Sequence, residues 1–104
     1  PSSMKAANEN FANMPGDKKV LLLGGMMELG NESITEHENL VNLINKNKWH
    51  KVVLVGKDYK GLPEGFIHFN NVSDAKNWCK EQHFTDAQIL VKGSRSMEME
   101  KVLE

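Results

Sequence analysis

Two apolar runs in this chain, Val20-Leu21-Leu22-Leu23 and Val52-Val53-Leu54-Val55, each stop at a glycine, Gly24 and Gly56, and neither alternates with polar residues. A strand with one face in water alternates with period two. Unbroken runs of this length point instead to strands covered on both faces, the pattern of a parallel sheet with helices above and below. Between the runs, Ser33-Ile34-Thr35-Glu36 has the form of a capping box, and Ile34, His37, Val41 and Ile44 then fall on one helical face, with Leu40 and Leu43 beside them. This predicts a helix from Ser33 to near Asn47, and with it two successive strand–loop–helix units.

The rest of the chain repeats the alternation. Met4, Ala7, Phe11 and Met14 share a helical stripe, with Ser2 or Ser3 as N-cap and Pro15-Gly16 as the stop. Lys57 to Gly65, with Gly61, Pro63 and Gly65, reads as loop with room for a helical turn. Phe66 to Phe69 reads as a strand. Ser73 can cap a helix in which Val72, Ala75, Trp78 and Cys79 share a face; Ala87 to Val91 is a further strand, and Ser94 or Ser96 starts a terminal helix through Leu103. The expected fold is one α/β domain over residues 1–104, a Rossmann-like three-layer sandwich with a mainly parallel sheet of about four to six strands and right-handed crossovers.

Composition narrows the partners. With Lys+Arg 13 against Asp+Glu 14, the formal charge is -1, leaving no basic excess for nucleic acid or an anionic membrane surface. The longest apolar run is far short of the roughly 20 residues of a membrane span, and no signal-peptide pattern opens the sequence, so a soluble protein is expected. Cys79 is the one cysteine, which excludes an internal disulfide or a multi-thiolate metal site and fits a reducing cytoplasm.

In an open parallel sheet, ligands bind outside the carboxyl ends of the strands. Here those ends lead into Gly24–Asn31, Gly56–Lys60, Asn70-Asn71 and Lys92–Ser96, which carry Glu28, Lys57, Asp58, Lys92 and Arg95. Such a set suits a small zwitterion or a phosphate, and equally suits solvated loops. Gly24-Gly25-Met26-Met27-Glu28-Leu29-Gly30 is not G-x-G-x-x-G, and G-x-x-x-x-G-K-[ST] is absent, so no complete dinucleotide or ATP site is encoded. His37 lies on an apolar stripe, as a satisfied structural residue or as a catalyst. His50, His68 and His83 lack ligand spacing, so no metal site is expected. Cys79 and Met26-Met27 read as packing residues.

Three segments taken together go further: Pro1-Ser2-Ser3-Met4-Lys5-Ala6-Ala7; Gly24 to Gly30 with Ser33 and Glu36-His37 downstream; and Leu90-Val91-Lys92-Gly93-Ser94-Arg95-Ser96 followed by Met99-Glu100-Lys101-Val102. In order and spacing they closely resemble the C-terminal domain of the UDP-N-acetylmuramoyl-tripeptide:D-alanyl-D-alanine ligases, members of the Mur ligase family of peptidoglycan synthesis, and the resemblance spans essentially the whole chain. It implies a cytoplasmic ATP-dependent ligase serving cell-wall biogenesis, cell shape and division. A first domain there binds the UDP-sugar, and a central domain binds ATP and magnesium. Both lie outside this sequence, so the chain alone is expected to be inactive and to hold no cofactor.

The implied reaction is phosphorylation of the tripeptide carboxylate, attack by the amine of D-alanyl-D-alanine, and collapse of a tetrahedral intermediate. The third domain rotates onto the central one, closes over ATP and positions the dipeptide. On the resemblance, Lys92, Gly93, Ser94, Arg95 and Glu28 bind the dipeptide. Ser2, Ser3, Gly24 and His37 lie on the nucleotide side or organise the loop, and no residue of this domain is itself catalytic. Two departures stand out. Gly25 occupies a position usually held by aspartate, and the family's strand ending in a Y-N-A-N-like segment would precede Pro1, so its lack would leave a gap or an exposed edge in the sheet. The competing expectation is a free-standing α/β module binding a small acidic ligand or a protein partner through the same edge.

Overall fold

Strand β1 (Lys19–Gly24) is buried along its whole length because it is paired on both sides and covered on both faces. In the computed structural model, which describes residues 2–26 and 30–104 and only the backbone of Ser2, β1 pairs in parallel with β2 (Lys51–Val55) and β4 (Gln88–Lys92). Strand β3 (Ile67–Phe69) extends the sheet beyond β2, giving a four-stranded, wholly parallel sheet of order β3-β2-β1-β4. Leu21 faces Val52 on one side and Leu90 on the other. The ladder is thus continuous, with no gap for an interior strand among the described strands, and its edges are β3 and β4.

Successive side chains of a strand point to opposite faces. Leu21, Leu23, Val52 and Leu54 join Met4 and Phe11 of α1 (Ser2–Asn13) and Leu40, Val41 and Ile44 of α2 (Ser33–Ile44) in one core. Val20, Leu22, Val53 and Val55 join Ala75 of α3 (Val72–Gln82), Met99 and Val102 in the other. The sheet is therefore the middle of three layers, and the apolar runs that lack alternation are the strands with two cores to serve.

The placement of helices follows from strand order. The β1–α2–β2 crossover moves one way along the sheet and the β3–α3–β4 crossover moves back, so right-handed connections put α2 and α3 on opposite faces. The β2–β3 connection moves in the first direction and has no helix, yet it sends Tyr59 into the α2-side core, as the same rule requires.

Several element ends differ from the pattern reading. Helix α1 starts at Ser2, which puts Ser3 inside its first turn and exposed, and Met14 falls just past its end and is 48% exposed. Its last carbonyls are met instead by Lys19, whose ammonium donates to Ala12 O at 2.9 Å and to Met14 O, a cation at the negative end of the helix. Glu32, not Ser33, occupies the N-cap position of α2, and α3 is capped by Asn71 rather than Ser73, with Asn71 Oδ1 accepting from Asp74 N at 2.9 Å.

The terminal helix is replaced by two 3-10 segments, Arg95–Met97 and Met99–Leu103, joined at Glu98 with φ 50°. Met97 and Met99 both pack on the α3-side core, whereas a continuous α-helix would set them about 200° apart. The left-handed step at Glu98 brings both inward.

One polar residue sits badly in this core. Asn8 shares the inner stripe of α1 with Met4 and Phe11, is 3% exposed, and neither its Oδ1 nor its Nδ2 finds a partner. An amide buried without hydrogen bonds costs about 1–3 kcal/mol. Asn8→Leu, of similar branching, is expected to raise stability in urea unfolding by about 1 kcal/mol and the melting temperature by about 4–8 °C, with an unchanged m-value.

Candidate functional site

Loops leaving β1 and β4 diverge to opposite faces, β1 toward α2 and β4 toward the 3-10 segments, so the carboxyl ends of these neighbouring strands form the topological switch point of the sheet. Two glycines meet there. A Cβ on Gly93 would lie 3.0 Å from Gly24 Cα and 3.2 Å from Gly24 N, and a Cβ on either glycine would come within 2.7 Å of Met99 Cγ. Met99, 2% exposed, thus fills the crevice over Gly24 and Gly93, and the open surface is displaced outward onto the loop that follows β4.

That surface is a depression of ≈ 310 Å³ lined by Lys92, Gly93, Ser94, Arg95, Met99 and Glu100, with Val91 beneath. Lys92 is half-buried at the end of β4; Arg95 is exposed and makes no ion pair among the described residues. The backbone holds the loop firmly: Ser94 N–H donates to Gly25 O at 2.9 Å and Ser94 O accepts from Met97 N at 3.0 Å. Ser94 Oγ lies 3.5 Å from Ser96 Oγ. Because Arg95 opens a three-residue 3-10 segment rather than an α-helix, the expected helix dipole is absent, and the attraction for an anion rests on the two side-chain cations.

The β1–α2 loop is pinned from behind. Met26 N–H donates to His37 Nε2 at 3.0 Å, so the ring proton is on Nδ1, which donates to Ser33 O at 2.6 Å. His37 is 1% exposed, and its ring meets that of Tyr59 edge-on with centroids 4.7 Å apart. Tyr59 Oη donates to Gly24 O at 2.8 Å, and burial pushes its phenol well above the usual tyrosine range. The Ser33 hydroxyl, freed from capping, donates to Asp58 Oδ2 at 2.5 Å. Thus His37 is a satisfied buried residue whose hydrogen bonds organise the loop. At Gly25, a side chain has room: the nearest atom to an added Cβ is His37 Nε2 at 3.5 Å.

The fold therefore brings Lys92, Gly93, Ser94 and Arg95 together with Gly24, and places His37 behind them. Glu28 and the side chain of Ser2 lie outside the described residues. Ser3 is exposed at the start of α1. Sequence patterns overlooked Tyr59, the packing role of Met99 and the Ser33–Asp58 bond; a single aromatic in a loop otherwise rich in glycine and charge was the available signal for Tyr59. Among the described residues, a larger hollow of ≈ 370 Å³ between α1 and α2 meets this loop at Met26. Among the described residues no three His, Cys, Asp or Glu side chains are grouped to hold a metal ion, and no helix is long and apolar enough to cross a membrane.

No family model matches the chain. Curated relatives do: the UDP-N-acetylmuramoyl-tripeptide–D-alanyl-D-alanine ligase of Rickettsia prowazekii is 36% identical over 110 aligned positions, covering 100% of this chain and 24% of the ligase. The ligase of the same name from Bacillus subtilis is 32% identical, covering 100% of this chain and 25% of its own length. Over its whole length the chain is similar to a domain-length part of these Mur ligases. It spans about a quarter of these ligases. Solved structures agree on the fold. The MurF ligase of Thermotoga maritima in complex with ADP superposes over 99% of this chain and 24% of its own with TM-score 0.78 at 22% identity. A MurF structure from Acinetobacter baumannii superposes with TM-score 0.79 at 25% identity, covering 99% of this chain and 25% of the other. The Mur ligase resemblance and the α/β fold of the sequence reading both hold.

Two outcomes test this geometry. Gly93→Ala presses a methyl group against the Gly24 backbone and Met99, and is expected to cost about 1–3 kcal/mol in denaturant unfolding, whereas Gly25→Ala stays near neutral. Half-buried Cys79 has its thiol pushed up from 9.0 by desolvation. Only the thiolate reacts, so alkylation of the folded chain should rise about tenfold per pH unit from pH 7 upward with no plateau below pH 9, measured by mass spectrometry.

Proposed function

We propose that this chain serves as the C-terminal, dipeptide-positioning domain of an ATP-dependent ligase that adds D-alanyl-D-alanine to UDP-N-acetylmuramoyl-tripeptide in the cytoplasm. The observation that carries this reading is the Lys92–Arg95 loop at the switch point: two cations, one a planar guanidinium that makes no ion pair among the described residues, border a depression large enough for a dipeptide. A D-alanyl-D-alanine molecule presents a carboxylate at one end and an amine at the other. Arg95 can grip the carboxylate with two parallel hydrogen bonds, with Lys92 adding charge from the end of β4. Ser94 Oγ offers one more donor or acceptor. With its carboxylate held, the dipeptide points its amine away from the sheet, toward the acyl phosphate on the rest of the ligase. The contribution to rate is positioning.

ATP and magnesium belong, on this reading, to the ligase's central domain. The residues here do not fit a complete site for either: the sequence has no phosphate-cradling G-x-x-x-x-G-K-[ST] loop, and the described residues hold no acidic cluster. Rotation of this domain onto the central one would bring the Gly24 loop and the Lys92–Arg95 loop to the interdomain cleft, and the start of α1 near the nucleotide. Glu28, in the same glycine loop, is assigned either to the dipeptide ammonium or to the organisation of that loop.

Arg95 is exposed, so its loss should affect binding rather than folding. A charge-assisted hydrogen bond contributes about 1.5–3 kcal/mol, so Arg95→Ala in the full-length ligase is expected to lower kcat/KM for D-alanyl-D-alanine roughly 10- to 150-fold. The melting temperature should hold within about 2 °C. An unchanged dipeptide dependence, or a melting point many degrees lower, would make Arg95 structural. The chain by itself should turn over no ATP above background.

A further inference from the structure

The cations of the proposed site are carried by a loop that leads into a short, three-residue 3-10 segment, Arg95–Met97, beside an open depression. Its position is read from the neighbouring backbone: Ser94 N–H is bonded to Gly25 O, and Gly93 lies against Gly24. Gly24 and Met26 are in turn gripped from the far side of that loop. Tyr59 Oη holds Gly24 O at 2.8 Å, and His37 Nε2 holds Met26 N–H at 3.0 Å. The two rings are locked edge to face, and the His37 Nδ1 bond to Ser33 O fixes the imidazole to the first turn of α2.

We propose that Tyr59 and His37 form a clamp whose role is to set the placement of the Lys92–Arg95 loop, making Tyr59, from the otherwise irregular β2–β3 connection, a positioning residue for the ligand site. The proposal rests on the dipeptide reading for its functional consequence. Phenylalanine at position 59 would fill the same apolar core, so the hydroxyl is needed only for the Gly24 carbonyl. The chain of contacts is direct: Tyr59 to Gly24, Gly24 to Gly93, Gly25 to Ser94, with Lys92 and Arg95 on either side of the last pair. A surface loop anchored through a neighbouring backbone is the kind of segment whose local opening responds to the loss of one anchor.

Two arms separate this proposal from the reading on which it rests. In the chain itself, Tyr59→Phe is expected to speed amide exchange of Ser94 and Met26 about tenfold, while exchange in the interior of β1, at Leu22, stays as in the wild type. His37→Leu should do the same, and His37→Gln, whose side-chain carbonyl can accept the Met26 N–H, should recover the wild-type pattern. In the full-length ligase, Tyr59→Phe should raise KM for D-alanyl-D-alanine about five- to tenfold with kcat within about twofold, a split that a general loss of stability does not produce. Wild-type exchange at Ser94 in both Tyr59→Phe and His37→Leu would overturn the clamp. So would an unchanged KM in Tyr59→Phe alongside a raised KM in Arg95→Ala. If Arg95→Ala leaves KM unchanged, the dipeptide reading fails, and Ser94 exchange alone decides whether the clamp holds the loop.

Discussion

The close approach of Gly24 and Gly93 is the constraint on which the rest of the site depends. Parallel strands β1 and β4 run alongside each other to their carboxyl ends, and only residues without a Cβ let the two backbones and the Met99 side chain share that space. Once they meet, Gly25 O is in reach of Ser94 N–H, and the loops after two different strands become one structural unit. Met99 closes the crevice that switch points in open sheets ordinarily leave for a ligand, so the charged surface forms beside the crevice rather than inside it.

Electrostatics at that surface follows from its exposure. Arg95 is exposed and Lys92 half-buried, so their charges face water rather than a low-dielectric cavity, and the segment that Arg95 opens is a 3-10 turn, not an α-helix whose N-terminus would add to their field. Each contact is therefore modest and salt-sensitive, and the geometry of a fork-shaped guanidinium does more for orientation than for raw affinity. Such a site gains strength when a second surface closes over it and excludes water, which agrees with the proposed closure of this domain onto the remainder of a ligase. The uncharged machinery lies deeper: His37 and Tyr59 are buried in the α2-side core and act through the backbone of the glycine loop.

Pattern reading found the strands at Val20–Leu23 and Val52–Val55 because burial on both faces leaves a local imprint, an apolar run without alternation. It found α2 from Ile34, His37, Val41 and Ile44, although Ile34 itself is 41% exposed. It failed where a side chain had a better partner elsewhere. Ser33 has the local form of a cap, but Asp58, 25 positions away, takes its hydroxyl. Met97 and Met99 lie in a stretch with helical propensity, and the demand that both reach one core broke it at Glu98. Tyr59 sits in a segment without periodicity, and its burial is a consequence of the path that the β2–β3 connection must take.

The layer architecture is legible in local sequence, since period and apolar content are properties of neighbouring residues, and so is the resemblance of the Gly24–Gly30 and Lys92–Ser96 segments to one ligase family. Which of those segments touch is settled by packing. The meeting of Gly24 with Gly93, and of Tyr59 with Gly24, joins residues 69 and 35 positions apart. Contacts of that span are set by strand order and crossover direction, which depend on the packing of the whole chain and leave no mark on the residues adjacent to either partner.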